Sequence, residues 1–171
     1  MTPIETNRLV LGPLKRQHWS LFLRLHTDPN VTALCFDVPP EAQIRQKFEA
    51  RLGDWTPDSK HWLGLVVTDK ASGEALGVTG FMLENDIAEV GYLFLPEYHG
   101  KGYAPESLQA VIEWASTTYH ISQYCAVVTE GNSGSEKVLT KCGFTLHRIQ
   151  PDAHRIGNNL FADHIYRLGL V

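Results

Sequence analysis

An apolar run that passes through two closely spaced glycines into a helix has the clearest chemical potential in this sequence. Val90 to Leu95 is almost uninterruptedly apolar, and Gly100 and Gly102 follow before an amphipathic helix predicted to start at about Ala104. Such a junction presents free backbone N–H groups and the positive end of the helix dipole. This arrangement binds phosphate without any side chain. An ordinary strand-to-helix turn has the same glycine spacing, so the loop alone leaves both interpretations open.

A second stretch, Asn132 to Phe144, has the pattern of a short helix with a defined start and end. Asn132 is a residue type that caps helix N-termini. Gly143 followed by the apolar Phe144 predicts a left-handed glycine at the helix end, with the next residue folding back. The stretch begins 25 residues after Ser107, which ends the first segment.

Together, AEVGYLFLPEYHGKGYAPES (88–107) and NSGSEKVLTKCGF (132–144) closely resemble the GNAT superfamily of acetyl-CoA-dependent N-acetyltransferases. The resemblance is strongest to the branch of ribosomal-protein N-terminal alanine acetyltransferases. It extends to ETNRLVLGPL near the start and FADHIYRL near the end. It implies the GNAT fold and acetyl-CoA as cosubstrate.

The resemblance also implies a coenzyme A site. The family loop Gln/Arg-x-x-Gly-x-Gly/Ala matches residues 99–104, with His99 in place of Gln or Arg. Backbone N–H groups of the loop would hold the pyrophosphate, and small residues at 100, 102 and 104 would let it approach. The residues implied to bind the cofactor are Leu93, Phe94, Leu95, His99, Gly100, Lys101, Gly102, Tyr103, Ala104, Asn132, Ser135 and Lys137.

Within that set, the backbone of residues 93–95 would pair with pantetheine, and one N–H there would stabilise the oxyanion of the tetrahedral intermediate. Asn132 would bind the pantetheine amides, although a plain helix N-cap explains it equally well. Lysines 101, 137 and 141 would meet the phosphates, or simply lie in solvent. His99 has the alternative of a surface loop histidine.

Acetyl transfer to an amine needs a proton acceptor, and Glu89 is the candidate base, acting directly or through water. It lies on an otherwise apolar strand, where partial burial would raise its pKa toward a useful value. The alternative is that Glu89 lies at the solvent end of the strand and has no role. Glu41, Glu84 and Asp86 are weaker candidates.

The leaving thiolate needs a hydrogen-bond donor. Leu139 stands where much of the superfamily has a tyrosine, so the resemblance points instead to Ser135, the serine of NxxS. Its hydroxyl would orient or relay a proton to the sulfur. A serine in the first turn of a helix also needs no catalytic explanation.

The predicted activity is direct transfer of acetyl from acetyl-CoA to a primary amine, and the resemblance implies a protein N-terminal α-amine. The alternatives are acetylation of a small molecule (a polyamine, amino acid or aminoglycoside) and a non-catalytic acyl-CoA-binding domain. The eight histidines form no HxH or HExxH pattern and the cysteines are not closely paired, so no metal site is predicted. P-loop and dinucleotide-binding patterns are absent from the sequence.

The elements that must position these residues read as one α/β domain over 1–171, with a mixed sheet of about six to seven strands flanked by helices. The predicted strands are 8–14, 61–68, 75–83, 87–95, 123–128, 145–150 and 160–168. Helices are predicted over 17–26 and 41–55, from residue 104 onward, and through 138–142. A further brief helix is predicted with Asn30 as its cap, and residues 151–159 are predicted to form a loop.

Composition limits the function classes. The length of 171 residues suits one domain, and a net charge of −4 argues against a general nucleic-acid binder. The three cysteines cannot all pair, which favours a reducing compartment. The sequence shows no signal-peptide pattern and no run of about 18 apolar residues, so a cytoplasmic monomer or homodimer without membrane contact is expected.

Overall fold

The computed structural model describes residues 1–170, which form one mixed eight-stranded sheet with helices on both faces. The sheet order is β1-β2-β3-β4-β5-β6-β8-β7. The strands are β1 (Ile4–Glu5), β2 (Leu9–Pro13), β3 (Leu63–Asp69), β4 (Ala75–Glu84), β5 (Ile87–Phe94), β6 (Gln123–Thr129), β7 (Thr145–Ile156) and β8 (Asn159–Gly169). The helices are α1 (Trp19–Thr27), α2 (Pro29–Thr32), α3 (Glu41–Glu49), α4 (Tyr103–Tyr119) and α5 (Ser133–Lys141).

Two apolar cores sandwich the sheet. On one face, helix α4 buries residues such as Leu108 and Val111 against Val90 of β5. On the other face, helices α1 and α3 bury their apolar residues, including Phe22 and Phe48, against the central strands. The period-2 burial along β5 follows from the alternation of side chains in a strand, so this strand contributes to both cores.

The predicted α/β class is confirmed, with one strand more than the predicted range. Strand β1 pairs antiparallel with β2 over two positions, too short a segment to show an alternating pattern. Strands β3, β4 and β5 form the expected antiparallel meander. No helix within residues 1–170 has the length and apolarity needed to cross a membrane.

Three local predictions are corrected. The helix predicted over 41–55 ends at Glu49, because the N–H groups of Arg51 and Leu52 bond to carbonyls three residues back and tighten the chain out of the α-helix. The cap of α2 is Asp28 rather than Asn30, since the Asp28 carboxylate accepts the Asn30 N–H at 3.0 Å. The loop predicted over 151–159 is instead the end of a long hairpin, β7–β8.

That hairpin includes Pro151 at a register shift between Gln150 and His154. A proline cannot donate a ladder hydrogen bond, so an irregular position in an edge strand is where it is tolerated. The turn proper contains Gly157 at φ 58°. The Gly157 N–H donates to the Asp37 carboxylate at 2.8 Å, which ties the hairpin end to the loop after α2.

Candidate active site

The glycine loop has the conformation that the sequence suggested. Gly100 and Gly102 adopt φ values of 73° and 80°, in the left-handed region that favours glycine. Gly102 is the N-cap of α4, a helix of 17 residues. Within residues 1–170, the backbone N–H groups of residues 100–104 have no backbone partner. They converge at the positive end of a long helix, so the loop fits the pyrophosphate of coenzyme A.

An ion pair that the sequence analysis missed fixes this loop. The Arg8 guanidinium lies 2.6 Å from the Glu106 carboxylate in the first turn of α4, and it also donates to the Lys101 carbonyl at 3.0 Å. The Thr6 hydroxyl and the Arg8 N–H donate to the same carboxylate. Although partial burial opposes it, hydrogen bonds from Thr6 and Arg8 hold the pKa of Glu106 below its ordinary value. Thr6 and Arg8 belong to the ETNRLVLGPL stretch, whose contact with Glu106 the sequence does not reveal.

The side chain of His99 turns back toward the strand. Its Nε2 atom lies 2.7 Å from the Phe94 carbonyl and anchors the start of the loop to the end of β5. Lys101 and Lys137 are exposed, and the Lys101 ammonium lies 5.6 Å from the centre of the Tyr98 ring.

A cleft opens where β5 and β6 separate. The two strands pair in parallel at three positions, the last joining Glu89 to Cys125. Beyond this point they diverge around a cleft of about 210 Å³. Its lining includes Leu34, Cys35, Phe36, Val90, Gly91, Tyr92, Ala126, Val127, Val128, Thr129, Asn132 and Ser135. A linear chain such as pantetheine fits between the strands as an additional strand would.

Alternate backbone groups of β5 face this cleft, which corrects part of the predicted pantetheine site. The Leu95 N–H donates to the Leu76 carbonyl of β4 at 3.0 Å, and Leu93 belongs to the same β4–β5 ladder. Because successive residues point their N–H and C=O groups to opposite sides of a strand, those of Tyr92 and Phe94 face the cleft. Leu93 therefore uses its backbone groups within the sheet, as does the Leu95 N–H, and the Leu95 carbonyl accepts the Tyr98 N–H of the following turn at 3.0 Å.

The start of α5 lines the other wall of the cleft. Asn132 is the N-cap, and its side-chain oxygen accepts the Ser135 N–H at 3.2 Å. The Tyr92 hydroxyl donates to the Ser135 carbonyl at 3.0 Å and joins the two walls. Burial raises the pKa of Tyr92, so this hydroxyl stays protonated. The predicted end of α5 is confirmed, because Gly143 has φ 87° and the Phe144 N–H folds back to the helix.

Glu89 lies at the last β5–β6 pair, two residues before Gly91 and on the same face of the sheet. The Glu89 side chain is exposed, yet desolvation by the surrounding protein, and next the carboxylates of Glu84 and Asp163, raise its pKa. This shift is in the direction that suits a general base. The structure places Glu89 beside the cavities, and its own atoms line neither of them.

A second proton-accepting arrangement, also missed from the sequence, borders the cleft. His154 of β7 places Nδ1 2.9 Å from the Asp163 carboxylate and Nε2 3.3 Å from the Thr129 hydroxyl. Nδ1–H donating to Asp163 leaves Nε2 to accept from Thr129. The three residues are brought together by the order β6-β8-β7, which their sequence spacing does not reveal.

A second cavity, of about 220 Å³, lies against the face of the sheet that α1 and α3 cover. It shares Phe36, Gly91 and Tyr92 with the first cleft, so the two spaces meet at the middle of β5. Its lining is Leu14, Phe22, His26, Phe36, Lys47, Arg51, Trp62, Leu63, Gly64, Val78, Thr79, Gly80, Gly91, Tyr92 and Leu93. This position makes it the candidate acceptor cavity.

The buried His26 of this cavity should make the free energy of unfolding depend on pH. Burial is the largest of the effects that lower its pKa, to about 4, and its Nδ1–H donates to the Phe22 carbonyl at 2.7 Å. The ordinary pKa of about 6.5 applies to the unfolded chain, which therefore binds the proton first as pH falls. The stability due to this difference is fully present above pH 6.5, and roughly 3 kcal/mol is lost as pH falls to about 4.

His26→Asn tests this expectation, because asparagine keeps an N–H donor without titrating in this range. Denaturant unfolding at pH 7 and pH 4.5 should show a smaller loss of unfolding free energy in the variant than in the parent. Equal losses would mean that other groups carry the acid sensitivity.

Comparison with known proteins agrees with this geometry. Residues 8–145 match the acetyltransferase (GNAT) domain family. The N-acetyltransferase YoaA of Bacillus subtilis, itself uncharacterized, is 32% identical over 153 residues and covers 84% of both chains.

Two solved structures share the fold. RimL, the ribosomal L7/L12 alpha-N-protein acetyltransferase, in complex with coenzyme A, superposes with a TM-score of 0.84 at 18% identity, covering 99% of this chain and 98% of RimL. Spermidine N-acetyltransferase from Vibrio cholerae, in complex with coenzyme A and spermine, has a TM-score of 0.81 at 16% identity and covers 96% of both chains. The family match, the glycine loop at the start of α4 and the cleft between β5 and β6 lead to one conclusion: the chain belongs to the GNAT family and is an acetyl-CoA-dependent N-acetyltransferase.

Proposed function

We propose that this enzyme acetylates a protein N-terminal α-amine by direct transfer in a ternary complex. The observation that carries the proposal is the meeting of the cofactor cleft and the acceptor cavity at Gly91 and Tyr92. An amine in the cavity would face a thioester in the cleft. An α-amine, with a pKa of about 7.7–8.0, also needs less help to lose its proton than a lysine side chain does.

A small-molecule amine is the second candidate acceptor. The size of the acceptor cavity is compatible with it, because about 220 Å³ holds a compact molecule as well as a single terminal residue. The two similar structures also differ in the kind of amine: RimL is an alpha-N-protein acetyltransferase, and the spermidine N-acetyltransferase has spermine bound.

The residues around the meeting point have distinct roles in this proposal. The Tyr92 N–H faces the cleft and would stabilise the oxyanion that forms as the amine adds to the carbonyl. Glu89 would accept the amine proton, directly or through water. Ser135, which lines the cleft, would donate a hydrogen bond to the sulfur as it leaves. Acetyl-CoA supplies the activated acyl group.

A coenzyme A release assay with a panel of amines tests the proposal. The panel contains peptides with free and blocked N-termini, amino acids and polyamines, and mass spectrometry locates the added acetyl group. The proposed function predicts turnover of peptides with a free N-terminus and none of the blocked ones. Cofactor binding by calorimetry without turnover of any amine would indicate a non-catalytic acyl-CoA-binding domain.

Ser135→Ala should lower kcat by about ten- to hundredfold with little change in the KM for acetyl-CoA. The lost hydrogen bond strengthens as the thiolate forms, so its removal affects the transition state more than binding. Ser133→Ala is the matched control, since Ser133 is an exposed serine at the start of the same helix. A kcat within about twofold of the parent would leave Ser135 as a residue of the helix start only.

A further inference from the structure

A half-buried arginine, Arg51, lines the acceptor cavity. The Arg51 guanidinium lies 5.5 Å from the centre of the Phe22 ring and 5.4 Å from that of Trp62. Burial lowers the pKa of Arg51 to about 10, with no carboxylate acting against the shift. An arginine at this pKa is still charged at neutral pH.

Within residues 1–170, Arg51 has no carboxylate within salt-bridge distance. By contrast, Arg8 pairs with Glu106 and Arg24 pairs with Glu97. Within residues 1–170, every fully buried side-chain nitrogen or oxygen has a hydrogen-bond partner. The nitrogens of Arg51 therefore keep contact with open space, and Arg51 lines the acceptor cavity.

The surroundings of Arg51 add to its positive charge. Lys47, one helical turn earlier, lines the same cavity. Both cations contribute to lowering the pKa of His26, after the larger effect of burial, so the three side chains are close together. His26 is neutral at pH 7, which leaves two cations at this end of the cavity. A partly desolvated cation without a partner is stabilised when an opposite charge binds beside it.

The sheet makes room for this arrangement with glycines. A Cβ added at Gly64 would lie 3.4 Å from the Arg51 Cβ, and one added at Gly91 would lie 3.0 Å from the Trp62 ring. The two glycines thus let the arginine stem and the indole lie directly on the strands. The Trp62 and Phe22 rings both lie beside the guanidinium, whose planar fork of N–H donors suits a carboxylate or a phosphate.

We propose that Arg51, assisted by Lys47, binds an anionic group of the acetyl acceptor, so that the preferred acceptors are amines that also carry a carboxylate or a phosphate. This inference rests on the proposed function and narrows its substrate class. An acidic first residue of a peptide and a free anionic amino acid both supply this chemistry. A polyamine, which carries only positive charge, would be repelled.

The test compares acceptors that differ only in charge. Peptide amides X-Ala-Ala are prepared with X as Asp or Asn, Glu or Gln, and phosphoserine or serine, beside free glutamate and spermidine. In Arg51→Met, kcat/KM for the anionic acceptors should fall by at least about 30-fold, as expected for loss of a buried charge pair. The neutral acceptors should change less than threefold, and the KM for acetyl-CoA should stay the same.

Two further variants complete the design. Arg51→Lys should recover part of the preference for anions, and Arg16→Met, which removes an exposed arginine outside both cavities, should behave as the parent. Should Arg51→Met fail to fold, Lys47→Met provides the same comparison at an exposed position, with a smaller expected loss of about three- to tenfold. Equal losses for anionic and neutral acceptors, or a parent that prefers spermidine, would overturn the inference.

The failure of the proposed function would look different. In that case the parent acetylates none of these amines. The anion site is then decided by calorimetry with N-acetyl-L-glutamate, which resembles the product and needs no turnover. Binding to the parent that is lost in Arg51→Met supports the site, and equal binding or none in both proteins refutes it.

Discussion

Gly102→Val should fold and lose about a hundredfold or more in affinity for coenzyme A, roughly 2.7 kcal/mol. The backbone at Gly102 has φ 80°, which a β-branched residue adopts only with strain. A Cβ at this position would also lie 3.3 Å from the Arg8 guanidinium, which holds the loop against Glu106. Valine would therefore move the N–H groups of the loop and push the pyrophosphate away from them.

Gly73→Val is the matched control for this experiment. Gly73 has a similar φ of 74°, in the turn between β3 and β4, with open space around its Cα. Both variants should lose comparable stability from backbone strain, and only Gly102→Val should lose cofactor binding. Calorimetry measures the affinity, and the rise in Tm on adding acetyl-CoA gives an independent value. Unchanged affinity in Gly102→Val would refute the assignment of the phosphate loop.

Glu89→Gln should lower kcat/KM for the amine by about a hundredfold near neutral pH, the lower end of the range for loss of a general base. The loss should be greatest at low pH and shrink as the free amine deprotonates without help. Glu84→Gln is an informative control, because the Glu84 carboxylate is one cause of the raised pKa of Glu89. Its removal should shift the acidic limb of the pH–rate profile to lower pH and leave the plateau unchanged.

A Glu89→Gln profile that runs parallel to the parent's, with a small uniform offset, would place proton removal elsewhere. The Thr129–His154–Asp163 arrangement would then be the next candidate, since Thr129 lines the cofactor cleft. His154→Gln, which removes the imidazole, would in that case produce the loss expected of Glu89→Gln.

Local patterns were enough to predict the elements and the cofactor loop. The glycine spacing after β5 and the Gly143 helix end depend on backbone conformations that glycine adopts most easily, and both are found as predicted. Apolar periodicity located the long helix and the meander strands within a few residues. Apolar periodicity did not predict strands that exist through backbone pairing with little burial of side chains. Examples are the two-residue β1 and the bulged β7.

By itself, the sequence determined the fold class and the family resemblance and predicted a loop for coenzyme A, because each depends on residues within one or two neighbouring elements. The tertiary structure decided which side chains line the candidate acceptor cavity. Arg8 meets Glu106 across 98 positions, and His154 meets Thr129 across 25. Arg51, which follows α3, lines the acceptor cavity with its side chain against Gly64 of β3. Such contacts depend on the strand order and on how helices lie on the sheet, and local periodicity carries no information about either.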